Sequence, residues 1–449
     1  MRLNKRLAPD LYLDVVAITG SYDKPSVDGH GNVFEWAVKI IQFNPEHQFD
    51  RLLLKGLLEQ QHIISIAEEI TSFHDSLPHS NATSTYGDAD NTYTHVRDNY
   101  IQAKKFNHPT DISEKLEHLS RWHEKQFNTL KDLLNDRKTN GFIRECHGDL
   151  HLGNIALHKN KVIMFDCLEF DEGLRQIDII NEVSFLLMDL EANNQKTFSN
   201  HFINHWLQIC GDFEGLRLLN FYKTYRAMVR TKVAIITANQ KQEKTTNTDF
   251  ERINLYLNLA MRYTRRPECA IIITHGLSGS GKSTISRQLA SHINAIYVRS
   301  DVERKRLLNS QQKNIYNTEA NKKTYHRLEI ACEAIIEAGY NALIDATFLN
   351  SNKRHDFLSL SARLHIPCII LDFFAPIELL EKWLVERSRE GHDASDADIA
   401  ILNQQIKERS PLTNHEKGIS IRINTSQEVD IKSLEEQIKS KIHAFYESL

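Results

Sequence analysis

Residues 270–284 read AIIITHGLSGSGKST, which places an apolar strand, a glycine-rich loop and the start of a helix in direct succession. Positions 276–283 match the pattern GxxxxGK[ST] in full. In such a loop the backbone N–H groups turn toward a phosphate, and the following helix presents its positive end to the same anion. The stretch therefore predicts a nucleotide-binding P-loop; the alternative is a glycine turn with an accidental lysine.

The loop residues have distinct expected tasks. We expect Lys282 to meet the β- and γ-phosphates of ATP and Ser283 to give its hydroxyl to Mg²⁺, with Thr284 beside it at the helix start. The residues expected to bind the nucleotide are Gly276, Ser278, Gly279, Ser280, Gly281, Lys282, Ser283 and Thr284.

Apolar runs alternate with helical patterns throughout the carboxy-terminal part of the chain. The runs are AIIITH, AIYVRS, NALIDAT, CIILDFF and ISIRIN. This alternation predicts an α/β fold, with a parallel sheet and covering helices. The amino-terminal part reads as two strands, at 11–18 and 33–43, around the turn-rich stretch 21–32, followed by mostly helical spacing. We therefore predict a mainly helical α+β domain over 1–265 and a P-loop domain over 266–449.

Acidic residues follow two of the predicted strands, at the edge where open parallel sheets bind ligands. Asp301 is a candidate base for a substrate hydroxyl, or else the N-cap of a helix beginning at Val302. Asp345 is a candidate magnesium residue, or else a solvated aspartate at a strand end, and Thr347 is a candidate substrate contact. These positions predict the magnesium and acceptor parts of a phosphoryl-transfer site.

Basic residues supply two further candidates. Arg387 and Arg389 precede the polar stretch 391–395, which suggests a lid whose guanidinium groups cover the transferring phosphate, although charged helix faces are common. The run 304–306 reads RKR and would suit the phosphates of a nucleic acid, but such a run is more often a solvated helix face.

Together these motifs resemble the small P-loop kinases typified by gluconate kinase, the 5′-kinase part of polynucleotide kinase and the zeta-toxin group. The resemblance covers about 270–449. In those relatives the aspartate after the second strand contacts the acceptor hydroxyl, so the resemblance implies that Asp301 is the catalytic base.

A second motif, HGDxHxxN, lies at 147–154 in the amino-terminal part. Asp149 and Asn154 have the spacing of the base and the metal-binding asparagine in a kinase catalytic loop. Asp166 follows the strand VIMF, where a second magnesium ligand is expected. The alternative is that the two histidines cap or pack a loop and that the acids are solvated.

Residues 1 to about 240 resemble the aminoglycoside phosphotransferase group of kinase-like folds, in which the HGD aspartate is the base and the later aspartate binds magnesium. The whole chain resembles bacterial two-domain proteins that join such a half to an ATP-binding P-loop domain. The glycine-rich hairpin and lysine strand of that fold have no counterpart here, and residues 1–10 correspond to the end of the next helix. We therefore expect an incomplete small lobe, with Lys39 an ordinary strand lysine.

Composition narrows the class of protein. The 449 residues are 41% hydrophobic and 25% charged, as in soluble globular proteins, and the net charge of -4 gives no support for a general polyanion-binding role. Six scattered cysteines without metal-ligand spacing, and no signal-peptide or membrane-spanning pattern, predict a cytoplasmic protein.

The sequence leaves three functions open. The first is a phosphotransferase that uses ATP and Mg²⁺ to phosphorylate a hydroxyl of a small-molecule or nucleotide-like acceptor. The second is a regulatory switch that binds ATP without turnover. The third is a polynucleotide 5′-kinase. Aminoglycoside modification is implied by resemblance alone.

Overall fold

The structure is a computed structural model, which describes residues 1–81, 84–106, 109–240, 246–308, 318–390 and 398–448. The chain divides into two compact units. One comprises residues 1–202 and 218–264, and the other comprises 203–217 and 265–449. Residues 203–217 thus belong to the unit that holds the P-loop, although they precede the predicted boundary at 265/266.

The first unit opens with a small antiparallel sheet and continues mainly as helices. Its early elements are α1 (Arg2–Lys5), β1 (Tyr12–Ser21), β2 (Lys24–Val27), β3 (Val33–Ile40), α2 (Phe49–Leu54), α3 (Gln60–Ser76), α4 (Ala89–Ala103) and α5 (Thr110–Thr139). Its later elements are β4 (Ile143–Glu145), β5 (Ile155–His158), β6 (Lys161–Met164), β7 (Gln176–Asp178), α6 (Ile179–Ala192), α7 (Lys196–Cys210, which continues into the second unit), α8 (Leu219–Gln240) and α9 (Asn247–Tyr263). The mainly helical character of this part agrees with the prediction.

Two local expectations are wrong. The stretch 21–32 is not only turn, because β2 pairs with β1 as an antiparallel edge strand. Pro25 is tolerated there because an edge strand can leave one side of its backbone unpaired. The strand expected at VIMF ends at Met164, one residue early, and Asp166 beyond it has a left-handed φ of 62° that no regular strand accepts.

The second unit contains the predicted parallel sheet. Its elements are β8 (Ile271–His275), α10 (Lys282–His292), β9 (Ala295–Arg299), α11 (Ser300–Leu308), α12 (Thr318–Glu337), β10 (Asn341–Asp345), α13 (Ser351–Leu364), β11 (Cys368–Phe374), α14 (Ile377–Glu390), α15 (Ile399–Glu408), α16 (Asn414–Gly418), β12 (Ser420–Asn424) and α17 (Ile431–Glu447). The strand order is β12-β11-β8-β10-β9, and every pairing is parallel. The predicted α/β fold is confirmed.

The sheet is apolar on both faces, as expected for strands covered by helices. Ile271, Ile272 and Ile273 of the central strand β8 are all fully buried. Because all five strands are parallel, their carboxyl ends meet at one edge of the sheet. The P-loop, Asp301 and Asp345 all follow that edge.

A buried histidine makes the first unit sensitive to acid. His123 is fully buried between the hydroxyl of Tyr100, 2.5 Å from Nδ1, and the carbonyl of Phe221, 3.1 Å from Nε2. Nε2–H therefore donates to the carbonyl, and Nδ1 accepts from the tyrosine. Burial lowers the pKa of His123 from 6.5 to about 4.

We expect the free energy of unfolding to fall as the pH drops from about 6.5 to about 4, because the unfolded chain takes up this proton first. With about 1.4 kcal/mol for each pKa unit, the loss at His123 amounts to about 3 kcal/mol. Urea unfolding across this pH range measures it, with His118→Asn on the same helix as the control. An equal acid slope in His123→Asn and in the intact protein would contradict the prediction.

Candidate active site

The P-loop runs from β8 into α10, and its glycines have conformations that other residues rarely adopt. Gly276, Gly279 and Gly281 have φ values of 145°, 81° and 76°. A Cβ at Gly276 would lie 2.6 Å from the carbonyl oxygen of Phe373, so this position requires glycine. Among the described residues no side chain caps the start of α10 at Gly281, and the N–H groups at a helix start can bind an anion.

The ammonium group of Lys282 lies over the loop. Its Nζ donates to the carbonyl oxygens of Gly276 at 3.0 Å and Leu277 at 2.7 Å, and the residue is only 8% exposed. These neutral carbonyl oxygens hold the ammonium group at the side of the loop where a phosphate would bind. A phosphate would offer the same ammonium group stronger, charge-assisted hydrogen bonds.

Ser283 and Asp345 come together beside the loop. The hydroxyl of Ser283 donates to Oδ2 of Asp345 at 2.6 Å, and the hydroxyl of Tyr297 donates to the same oxygen at 2.6 Å. Asp345 is 5% exposed, so the alternative of a solvated strand-end aspartate is wrong. Burial, together with the nearby Asp345 carboxylate, raises the pKa of Tyr297 well above its ordinary value, and the phenol therefore stays protonated as a donor.

This pair fits a magnesium ion. A serine hydroxyl and a carboxylate are hard oxygen donors, which Mg²⁺ prefers. Within the described residues, the buried carboxylate of Asp345 accepts from two hydroxyl groups and forms no ion pair. Ser283 and Asp345 are therefore the residues that would hold Mg²⁺ in this unit.

Tyr297→Phe tests the role of the phenol, which sequence reasoning missed because an aromatic residue within a strand is typical of a core. We expect the magnesium affinity of the ATP-bound protein to fall about tenfold, because the phenylalanine cannot orient Asp345. Titration of Mg²⁺ against nucleotide binding measures the change.

Tyr446→Phe is the matched control, since it removes a hydroxyl that donates to the carbonyl of Cys269 at 2.9 Å in the same unit. Equal magnesium affinities in Tyr297→Phe and Tyr446→Phe would argue against the role.

Asp301 lies at the other side of the cavity. Helix α11 begins at Ser300, so Asp301 is in its first turn and is not the N-cap of a helix beginning at Val302. Its Oδ1 accepts a hydrogen bond from Nη1 of Arg304 at 2.8 Å, and Nη2 of Arg304 lies 3.2 Å from the side-chain oxygen of Asn321. Arg304 is only 7% exposed, so it is not part of a solvated basic face.

One cavity of about 1530 Å³ joins these groups. Its wall includes the P-loop from Ser278 to Thr284, the predicted magnesium residue Asp345 and the predicted acceptor-side residues Asp301 and Thr347. The structure thus places the predicted phosphate, metal and acceptor residues around a single space. Lys322 and Lys353 also line it, and no sequence motif marks either of them.

Helix α15 is fastened to the P-loop by Gln405. The side-chain oxygen of Gln405 accepts the N–H of Ser278 at 2.8 Å, and its amide group donates to the hydroxyl of Ser278 at 2.9 Å. The fully buried Leu402 packs nearby with Leu277 and Leu349. Because 127 residues separate Gln405 from Ser278, no local sequence signal could have identified this contact.

The predicted lid lies partly outside the described residues. Arg387 and Arg389 lie in α14, but their side chains are not among the described parts of the chain. Residues 391–397, which include the polar stretch, are likewise outside the described residues. The lid assignment stays a prediction.

The HGD loop of the first unit is held by buried polar contacts. The two carboxylate oxygens of Glu182 accept the N–H groups of His147 at 2.7 Å and Gly148 at 2.8 Å. Nη1 of Arg226 donates to the carbonyl of Gly148 at 3.0 Å. Sequence reasoning missed both anchors because they lie on later helices, α6 and α8.

The three predicted residues of this loop occupy neighbouring positions. The side-chain amide of Asn154 donates to the backbone oxygen of Asp149 at 2.9 Å. Asn154 precedes β5 and Asp166 follows β6, and these antiparallel strands bring the two residues to the same end of the pair. Although burial acts to raise the pKa of Asp149, its neighbours His151 and Arg226 outweigh that effect and lower the pKa.

Lys39 lies exposed in β3, opposite Asp14, as expected for an ordinary strand lysine. None of the described helices combines the length and the apolar character that a membrane crossing requires.

Comparison with known protein families supports the interpretation of the second unit as a P-loop fold. A family model described as AAA domain matches residues 271–412, which include the P-loop, Asp301 and Asp345. The match therefore agrees with a P-loop α/β fold for this region.

Relatives also exist over nearly the whole chain. Uncharacterized proteins of Mycobacterium tuberculosis and Mycobacterium bovis are 24% identical over 410 residues, which cover 89% of this chain and 79% of theirs. Because 410 residues exceed either compact unit, the similarity includes both.

Solved structures resemble part of the chain. The APS kinase of Mycobacterium tuberculosis, in complex with AMPPNP and APS, is 17% identical with a TM-score of 0.30, and the match covers 39% of this chain and 99% of that one. Kti12 of Chaetomium thermophilum, in complex with ADP-AlF3, is 16% identical with a TM-score of 0.32 and coverages of 38% and 98%. A sugar kinase from Janibacter is 19% identical with a TM-score of 0.30 and coverages of 39% and 95%.

Proposed function

We propose that this protein is an ATP- and Mg²⁺-dependent phosphotransferase whose P-loop domain transfers the γ-phosphoryl group to a hydroxyl of a small-molecule or nucleotide-like acceptor. The observation that carries the proposal is the single cavity, which exposes the P-loop, the Ser283–Asp345 pair and Asp301 to one another. Phosphoryl transfer needs these three parts together, since its catalysis is mostly positioning and charge stabilisation.

The P-loop forms the nucleotide-binding side of the proposed site. Its N–H groups and the start of α10 would bind the phosphates, and Lys282 would exchange its contacts with Gly276 and Leu277 for phosphate oxygens. Magnesium, held by Ser283 and Asp345, would offset charge on the phosphates. Arg387 and Arg389, as lid residues, would supply further positive charge.

The acceptor side rests on Asp301. Arg304 fixes this carboxylate in the cavity wall, and there it would accept the proton of the acceptor hydroxyl. The acceptor oxygen then forms the new bond to phosphorus as the bond to the leaving oxygen breaks, so that ADP leaves. Thr347 would contact the acceptor nearby.

The geometry of the HGD loop favours a second centre. We propose that the first unit forms an aminoglycoside phosphotransferase-like domain, predicted over 1–265, with Asp149 as a base and with Asn154 and Asp166 as magnesium ligands. Asn154 already contacts Asp149, and Glu182 and Arg226 hold the loop between them.

The test is ADP formation with a panel of sugars, nucleosides and oligonucleotide 5′ ends, using the intact protein, Asp301→Asn and Asp149→Asn. For the acceptor of the P-loop domain, loss of turnover in Asp301→Asn alone is the expected result. Loss in Asp149→Asn alone would transfer the chemistry to the HGD loop and contradict the P-loop assignment. Tight ATP binding without turnover would instead favour a regulatory switch, and turnover restricted to oligonucleotides would favour a polynucleotide 5′-kinase.

A further inference from the structure

Helix α11 has two functional faces. Asp301 and Arg304 share the face that lines the cavity. Glu303 and Arg306 each lie two positions further on, and at about 100° per residue they point roughly the opposite way. The face that carries Glu303 and Arg306 therefore lies opposite the cavity face.

The opposite face is built around a buried carboxylate. Glu303 is 1% exposed, and its two oxygens form ion pairs with Arg306 at 3.2 Å and with Arg327 of α12 at 3.1 Å. A buried charge is tolerated only when it is paired and hydrogen-bonded. Glu303 thus fixes the guanidinium groups of Arg306, in α11 itself, and of Arg327, in α12.

The same arginines bind the end of α7. Nη2 of Arg306 donates to the carbonyl oxygen of Gln208 at 2.7 Å, and Nη2 of Arg327 donates to that of Gly211 at 2.7 Å. The last carbonyls of a helix lack partners within the helix and carry the negative end of its dipole, so arginine is a favourable cap. The end of α7 is therefore joined to α11 through charged contacts.

A third contact from the same segment reaches the sheet. The side-chain amide of Asn204 donates to the carbonyl of Ala295 at 2.9 Å and accepts the N–H of Tyr297 at 2.7 Å. Strand β9 lies at the edge of the sheet, and the amide of Asn204 makes backbone hydrogen bonds of the kind that a neighbouring strand would make. Tyr297 also holds Asp345 through its hydroxyl.

We propose that residues 203–217 are the positioning segment of the acceptor side: they hold α11, and with it Asp301 and Arg304, against the cavity. The consequence for catalysis rests on the proposed function of Asp301. The positioning of α11 does not depend on that function, because it is a property of the fold. Part of the P-loop site is thus built by a segment that lies within the amino-terminal half of the sequence.

Gly211 offers a sharp test in the full-length protein. A Cβ at this glycine would lie 1.7 Å from Nη1 of Arg306, so Gly211→Ala must displace the guanidinium group. Gly56→Ala is the matched control, because Gly56 has a similar φ of 68° with nothing within 4 Å of the added methyl group. Arg306→Ala removes the same contact from the other side.

The readout is amide hydrogen exchange of α11, with α10 as the internal reference. We expect exchange in α11 to accelerate about tenfold in Gly211→Ala and in Arg306→Ala, and to stay unchanged in Gly56→Ala. In the double variant that combines Gly211→Ala with Arg306→Ala, the added methyl group should have no further effect on exchange, because the guanidinium group that it would displace is absent. Unchanged exchange in both single variants, or additive effects in the double variant, would overturn the proposal.

Turnover measurements distinguish a failure of the positioning proposal from a failure of the proposed phosphotransferase function. In an active protein, Gly211→Ala should lower kcat/KM for the acceptor while the Kd for ATP stays the same. If the intact protein shows no turnover, the proposed function fails, and the exchange result still decides whether residues 203–217 position α11. A loss of ATP affinity equal to the loss of kcat/KM would count against the positioning segment.

Discussion

Lys282→Ala is expected to lower ATP turnover by about 10² to 10³, the loss typical when one charged or hydrogen-bonding stabiliser is removed from a preorganised site. The ammonium group is already held at the loop by the carbonyl oxygens of Gly276 and Leu277, so little reorganisation precedes its contact with phosphate. Alanine would leave the backbone N–H groups and the start of α10 to bind the nucleotide. The turnover should therefore fall further than the affinity for ADP.

Steady-state ADP formation and calorimetric binding of ADP measure these two effects. Lys39→Ala is the control, because Lys39 is an exposed strand lysine of the other unit. Full turnover in Lys282→Ala would mean that the P-loop is not the site of transfer, and the HGD loop would then be the remaining candidate. A matching loss in Lys39→Ala would point to a general effect of removing a lysine.

The local motifs explain why much of this site could be predicted. The P-loop is contiguous, so its glycines, Lys282 and Ser283 are visible as one pattern. Asp301 and Asp345 could be placed near it because parallel strands carry their carboxyl ends to one edge. Four of the five parallel strands were also predicted to within one residue at each end, since each is a short apolar run between polar segments, and the run NALIDAT extends two residues beyond β10.

The supporting residues could not be predicted in the same way. Tyr297 looks like a core aromatic until the carboxylate at its hydroxyl is seen. Gln405 and Asn204 act through side-chain amides on distant backbone groups, and polar residues on helices are ordinarily solvent-exposed. Contacts of this kind depend on the tertiary fold, and no spacing in the sequence records them.

Arg354→Ala is expected to lower the free energy of unfolding by about 3 to 5 kcal/mol, because it leaves a buried carboxylate without its partner. Arg354 is fully buried, and its Nε and Nη2 lie 2.6 Å and 3.2 Å from the two carboxylate oxygens of Glu416. Its remaining N–H groups donate to backbone carbonyls, among them Phe348 at 3.0 Å and Pro411 at 3.1 Å. Alanine would remove all of these donors at once.

Urea unfolding measures the loss, and Arg363→Ala provides the control on the same helix. Arg363 is exposed and pairs with Glu333 at the surface, so its removal should leave the unfolding midpoint unchanged. Equal stability of Arg354→Ala and the intact protein would show that Glu416 finds other partners. Replacing Arg354 and Glu416 together with methionine should recover part of the loss, since no charge then stays unpaired.

The same substitution should also affect the cavity, through Phe348. This residue follows Thr347 and has a left-handed φ of 45°, which is rare for a bulky side chain. Such a conformation persists only where its surroundings impose it, and here the hydrogen bond from Arg354 and the edge-to-face packing of Tyr325 and Phe357 do so. Without Arg354 the backbone at Phe348 should relax and move Thr347 from the cavity wall. We therefore expect Arg354→Ala to raise the acceptor KM even at temperatures where the domain stays folded, whereas Arg363→Ala should leave it unchanged.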